Sequence, residues 1–172
     1  MAHSVELLFD SGADATVRQE WAALADAGLP SQARHRSPTN RPHVTLTVAE
    51  RIDPAVDAAL RGPASQLPMD CLVGAPMVFG RRSFTLVRLI VPSAGLLRLQ
   101  ESVDSICQPY LSSKPFTHTR PGRWTPHVTL ARRLAPADLA AALAVLDADD
   151  VVGTFAGLRR WDGDARIDTV IA

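Results

Sequence analysis

At 172 residues the chain suits one domain or two small intimate lobes. Apolar residues make up 47% of it, which excludes a disordered chain, and 18 basic residues balance 18 acidic ones, which removes the usual basis for strong non-specific attraction to nucleic acid. No apolar run approaches the ~20 residues of a membrane span.

Val5 to Phe9 reads as a short buried strand, ended by Asp10-Ser11-Gly12. Val17, Trp21, Leu24 and Ala25 recur at helical spacing across residues 13–27, and Gly28-Leu29-Pro30 stops that helix. Residues 31–40 form a polar loop carrying His35. A strand follows at residues 43–48. Asp53-Pro54 then opens a helix as N-cap and first helical residue, ended by Arg61-Gly62-Pro63. Met69 to Phe79 reads as a strand bent near Gly74 and Pro76, turned by Gly80-Arg81-Arg82 into a second strand from Ser83 to Val91. Leu96, Leu99, Val103 and Ile106 mark a helix through Cys107. A polar, basic loop with His118 leads into a strand from His127. A helix opened by Pro136-Ala137-Asp138 follows, with Leu139, Leu143 and Leu146 as its apolar face. Residues 151–161 and 166–171 form a closing hairpin. No linker rich in Gly, Ser or Pro separates the halves, so residues 1–172 are expected to form a single two-lobed domain around one cleft.

One stretch occurs twice. Arg41-Pro42-His43-Val44-Thr45-Leu46-Thr47-Val48 and Thr125-Pro126-His127-Val128-Thr129-Leu130-Ala131-Arg132 share Pro-His-Val-Thr-Leu, and their histidines lie 84 residues apart. Each alternates with period 2, so His43 shares a face with Thr45 and His127 with Thr129, about 6–7 Å apart along the strand. By the same alternation Thr47 falls on the histidine face. The surrounding elements repeat as well: the strand and helix of residues 84–107 resemble those of residues 5–27, and each half runs motif strand, helix, strand, turn, strand.

Two imidazoles facing each other can serve as acid and base near neutral pH, and two hydroxyls can donate to the oxygens of an anion. A single strand histidine is more simply a locally hydrogen-bonded residue; two in matched surroundings point to a site. A metal would need a third and usually a fourth ligand, and neither motif contains a carboxylate or thiol. Cys71 and Cys107 match neither a metal spacing nor a disulfide framework. No metal or cofactor is therefore expected.

The paired His-x-Thr-x motifs resemble those of the 2H phosphoesterase superfamily, in its 2′-5′ RNA ligase-like branch that includes RNA 2′,3′-cyclic phosphodiesterases. The resemblance covers most of the chain. It implies an α+β fold of two pseudo-symmetric antiparallel lobes with outer helices around a central cleft. It implies hydrolysis of a 2′,3′-cyclic phosphate, or a related 2′-5′ phosphodiester, at an RNA end or in a nucleotide, with His43 as acid, His127 as base and Thr45 and Thr129 on the phosphate. Arg132 matches a basic position of that branch, although its odd spacing from His127 would turn it away on a regular strand. Arg41, two before His43, is a second phosphate candidate if alternation already holds there. Trp124 and Phe9 are candidates for stacking a base, with core packing the simpler use of Phe9. Ligase chemistry is not demanded, since Lys114 is the only lysine. Other small cyclic nucleotides, and a non-catalytic module binding RNA ends, remain alternatives. The N-terminal residues have no basic n-region or long apolar h-region, so a cytoplasmic monomer with no membrane partner is expected.

Overall fold

The computed structural model describes residues 2–172. Seven strands and four α-helices alternate in the order β1 (His3–Phe9), α1 (Ser11–Asp26), β2 (His43–Ala49), α2 (Val56–Ala64), β3 (Met69–Phe79), β4 (Phe84–Ile90), α3 (Ala94–Cys107), β5 (His127–Leu134), α4 (Leu139–Ala144), β6 (Val151–Asp162) and β7 (Ile167–Val170). All strand pairs are antiparallel, in the order β1-β2-β5-β4-β3-β6-β7, and β6 also pairs with β1. The fold is α+β, and the strand order returns to its start.

Two three-stranded groups make up this ring. One is β2-β1-β6, extended by β7, and the other is β5-β4-β3. They do not coincide with the sequence halves. The hairpin turn at Gly80 carries β3 directly onto β4, so the third strand of the first repeat joins the second group, and β6 correspondingly returns to β1. Gly80 adopts φ +101°, and a Cβ there would lie 2.3 Å from the Ser83 carbonyl oxygen, so this turn requires glycine. The equivalent units are therefore β1-α1-β2-α2-β3 and β4-α3-β5-α4-β6, with β7 an addition.

The helices cover the sheet face opposite the motif histidines. Helix α1 packs against β5 and β6, and α3 against β2 and α2. Trp21, Leu24, Val44, Leu46, Leu96, Leu99, Val128 and Leu130 fill the core between them. Asp10 starts α1 two residues earlier than periodicity suggests, because its Oδ1 accepts the backbone N–H groups of Gly12 and Ala13 at 2.8 and 2.9 Å. Asp53 Oδ1 accepts the Ala55 N–H at 2.9 Å, one turn ahead of α2 rather than as its N-cap. Pro63 lies inside the last turn of α2 instead of beyond it; only one intrahelical bond is lost there, and its ring is buried. Helix α4 is six residues long and buries Ala142, while Leu143 is left exposed, so the expected Leu139/Leu143/Leu146 face does not form.

Phe9 belongs to this core and is not available to a base. It is 7% exposed, and its ring lies 5.2 Å from that of Phe155. A charge sits in the core as well. Arg88, 1% exposed on β4, forms an ion pair with Glu20 of α1 and donates to the carbonyls of Gly74 at 3.1 Å and Asp147 at 2.6 Å. One guanidinium thus ties α1, β3 and the loop after α4 to β4. A buried charge left without its partner is strongly destabilising. Arg88→Met is expected to lower the unfolding free energy by about 3–5 kcal/mol in a denaturant titration, and adding Glu20→Gln should recover part of that loss.

Candidate active site

Strands β2 and β5 meet through one pair, Val44 opposite Val128. Continuing the antiparallel register by one residue sets His43 opposite Thr129 and Thr45 opposite His127, so the four motif side chains form a square on one face. The two histidines take the diagonal of this square. The charge of His43 acts on the His127 ring.

Each ring is held the same way. Nδ1 of His43 donates to the Arg41 carbonyl at 2.8 Å, and Nδ1 of His127 donates to the Thr125 carbonyl at 2.7 Å. A carbonyl can only accept, so the proton sits on Nδ1 in both neutral rings. Nε2 is then the atom each ring offers to the cleft. The motif strands are fixed from outside the sheet in a parallel manner: the Trp124 indole donates to the Thr45 carbonyl at 2.8 Å, and the Trp21 indole to the Thr129 carbonyl at 3.0 Å.

Both motif strands carry a bulge at the same place. Val5 pairs with Thr47 while Glu6 pairs with Thr45, leaving Leu46 as an extra residue; Leu86 pairs with Ala131 while Val87 pairs with Thr129, leaving Leu130 as one. A bulge shifts the alternation by one residue. Leu46 and Thr47 are consequently both buried, as are Leu130 and Ala131. Thr47 therefore leaves the histidine face on which simple alternation puts it. The same shift returns the fifth residue after each histidine to that face. In β5 this residue is Arg132, whose charge acts on His127; in β2 it is Val48. The bulge that Arg132's odd spacing requires is present.

The surroundings of the two rings differ. His127 is the more desolvated, and burial, followed by the charges of His43, Arg132 and His118, holds it below the ordinary histidine range against the opposing Thr125 hydrogen bond. The Phe79 ring stands edge-on at 4.9 Å from the His127 ring. His43 instead has a carboxylate beside it, with Glu6 Oε1 at 3.7 Å from its Nε2. Glu6 occupies the place in β1 that Val87 takes in β4, since these residues pair with Thr45 and Thr129.

The structure brings His43, His127, Thr45, Thr129 and Arg132 to one face. Trp124 is half-buried against the core and acts there as a donor to the motif strand. Arg41 precedes β2, so alternation does not place its side chain; its carbonyl orients His43. Glu6, Trp21 and Phe79 escape the sequence reading. For Glu6 a signal exists, a single charge inside an apolar strand, which must find a partner when buried. Among the described residues one group of three possible metal ligands lies within reach of one another, His3, Asp162 and Asp164. Asp162 Oδ1 already accepts the N–H groups of Asp164 and Ala165 at 2.9 Å.

Fold and site together define an α+β protein in which duplicated strands set two histidines and two threonines on one face of an antiparallel sheet. The family model of the 2′-5′ RNA ligase superfamily matches residues 13–165, and the chain belongs to that superfamily, the 2H phosphoesterases. Solved structures share the fold at low identity. Usb1 of Kluyveromyces marxianus is 13% identical with a TM-score of 0.54, over 99% of this chain and 97% of that one, and has also been solved with uridine monophosphate. TT0787 of Thermus thermophilus is 18% identical with a TM-score of 0.54, over 100% and 96%. E. coli LigT complexed with 3′-AMP is 16% identical with a TM-score of 0.53, over 98% and 92%. No curated protein matches the chain. No helix among the described residues is long and apolar enough to cross a membrane.

Removing either indole donor leaves a motif carbonyl without its partner. Trp21→Phe and Trp124→Phe should each cost about 1–3 kcal/mol in chemical denaturation. Variants as stable as the parent would show that these bonds do not hold the motif strands.

Proposed function

We propose that the protein is a metal-independent 2H-type cyclic phosphodiesterase that hydrolyses a 2′,3′-cyclic phosphate, or a related 2′-5′ phosphodiester, at an RNA end or in a nucleotide. One observation carries this reading: both Nδ1 atoms are bound to backbone carbonyls, which leaves two Nε2 atoms free on strands joined by the Val44–Val128 pair. Two such nitrogens can move two protons at one phosphorus. Structures of the same fold with uridine monophosphate in Usb1 and 3′-AMP in LigT support a nucleotide-sized ligand.

In the reaction, a water oxygen attacks phosphorus and gives its proton to Nε2 of His127. The bond from phosphorus to the 3′ oxygen breaks, and Nε2–H of His43 protonates that oxygen, leaving a 2′-phosphate. Thr45 and Thr129 donate to the non-bridging oxygens, and Arg132 offsets the charge that builds on them. The desolvated His127 suits the base, because a ring that resists protonation is ready to accept the water's proton. The direction of this assignment follows the family resemblance. Arg41, at the edge of the same site, is a further phosphate contact in this reading.

Turnover of a 2′,3′-cyclic mononucleotide and of a short RNA with a cyclic phosphate end, measured in EDTA, tests the proposal. Wild type should turn over, and His43→Ala and His127→Ala should each lower kcat by about 10²–10⁴-fold. Preference between the two substrates identifies RNA or a nucleotide as the partner. Binding without turnover, unchanged in His43→Ala, would favour the non-catalytic module. The rate should follow a bell in pH. The base works only when neutral, so the rate falls as pH drops through the His127 pKa. That acid limb should lie below the ordinary histidine value of about 6.5, since burial lowers the pKa of His127. A flat profile between about pH 5 and 8 would contradict a two-histidine mechanism.

A further inference from the structure

The pseudo-two-fold arrangement breaks down in charge beside His43. Glu6 is 4% exposed and Arg159 3%, so two ionised groups lie buried under the first motif. Arg159 Nε and Nη2 each lie 2.8 Å from Glu6 Oε2, and its Nη1 lies 2.9 Å from Asp168 Oδ2 and donates to the Thr39 carbonyl at 2.9 Å. Ser4 Oγ donates to Glu6 Oε1 at 2.5 Å. Two carboxylates thus share one guanidinium. The cluster carries one excess negative charge, with Glu6 and Arg159 buried and Asp168 partly exposed at its outer end. His43 lies against its buried end, with Nε2 at 3.7 Å from Glu6 Oε1.

We propose that Glu6 is a positioning residue for His43: the carboxylate of Glu6, in its cluster with Arg159 and Asp168, stabilises the positive charge that the His43 ring carries as proton donor and so favours this histidine as the acid of the pair. The inference rests on the cyclic phosphodiester reading for its chemical consequence, and on geometry for the ion pair itself. Glu6 is ionised in this setting. Burial would raise its carboxyl, but the charges of His43 and Arg159 and the Ser4 hydrogen bond outweigh that and hold it below the ordinary range.

The geometry also explains why Glu6 does not consume the proton it stabilises. At 3.7 Å the carboxylate attracts the ring charge without forming a hydrogen bond to it. Serine and arginine fix both carboxylate oxygens, and the Arg41 carbonyl fixes the ring through Nδ1. Nε2–H therefore remains available to a leaving oxygen. The second motif has the opposite arrangement. Val87 replaces Glu6 beside Thr129, and Arg132 acts on His127, so the cleft is anionic behind one histidine and cationic behind the other. The charged and titratable groups around the histidine pair are Glu6 on β1, Arg159 on β6, Asp168 on β7, Arg132 on β5, Arg41 in the loop before β2 and His118, which lies in the turn (Thr117–Thr119) packed against β2 and acts on His127.

Imidazole NMR titration of the resting protein decides the matter without requiring turnover. In Glu6→Gln the midpoint at which His43 loses its proton should fall by about one unit, the scale of an opposite charge at this distance. Asp168→Asn neutralises the outer carboxylate of the cluster and should move the midpoint the same way by less. Its side chain is a fifth exposed, at 21%, so it keeps the test open if Glu6→Gln does not fold. The acid must be protonated to act, so the basic limb of the rate profile should move to lower pH in both variants. For Glu6→Gln, kcat/KM should fall about tenfold at pH 8 and little at pH 6, the consequence of a one-unit shift; a merely structural lesion would lower both alike. A His43 midpoint that is unmoved or raised in both variants overturns the proposal, whether or not the protein hydrolyses a cyclic phosphate. Absence of wild-type turnover, with the midpoint shifted as expected, would sink the proposed reaction and leave the ion pair standing.

Discussion

On the histidine side of the ring, one cross-strand pair, Val44 opposite Val128, joins the two strand groups. A longer ladder would flatten the strands together, whereas one pair lets them part on either side and leaves room between the motif side chains. The cost is a seam with little backbone bonding of its own. Indole donors from Trp21 and Trp124 and the buried valines hold it, with α1 and α3 pressed against the opposite face. The position of both histidines, both threonines and Arg132 depends on this seam. The two bulges complete it, because shifting the alternation after Leu46 and Leu130 draws Thr47 and Ala131 into the core while bringing Arg132 round to the histidine side.

On this nearly symmetric frame the proposed chemistry is not symmetric. A reaction that takes a proton from water and gives one to a leaving oxygen needs two groups in opposite protonation states. Two identical histidines in identical surroundings would not provide them. The chain breaks the symmetry at two matched pairs of positions, Glu6 against Val87 and Arg132 against Val48. At Glu6 the charge is buried, and the fold supports it with a guanidinium whose remaining valence is taken up by Asp168 and a backbone carbonyl; Arg132 is exposed. Arg88 with Glu20 shows the same practice away from the site, where the purpose is to tie distant elements together.

Much of this architecture is legible in residue patterns. Period-2 and helical spacings locate the strands and helices, and the duplicated Pro-His-Val-Thr-Leu locates the site face. The misreadings have physical causes. Alternation cannot foresee a bulge, so it puts Thr47 on the wrong face and makes Arg132 look misplaced. Pro63 reads as a stop because a proline in the last turn, losing one bond while burying its ring, has the same sequence signature as one just beyond it. The six-residue α4 lacks the length to present the three-leucine face that its spacing suggests. Phe9 is a stacking candidate only while the core is unknown. Glu6 and Arg88 escape notice because apolar neighbours dominate the reading of a strand, although a lone charge among them already requires a buried partner; Arg159 stands beside Arg160 and reads as part of a surface pair. Which residues answer that requirement depends on contacts between residues as far apart as Glu6 and Arg159.

The central claim is that His43 and His127 address one phosphate together. The most direct measurement is a titration with a nucleoside 2′-monophosphate, following the imidazole nitrogens of both histidines by NMR in EDTA. The account predicts that both Nε2 signals shift along one binding curve while both Nδ1 atoms stay protonated on their carbonyls. A response confined to one ring, or two rings following different curves, would contradict it.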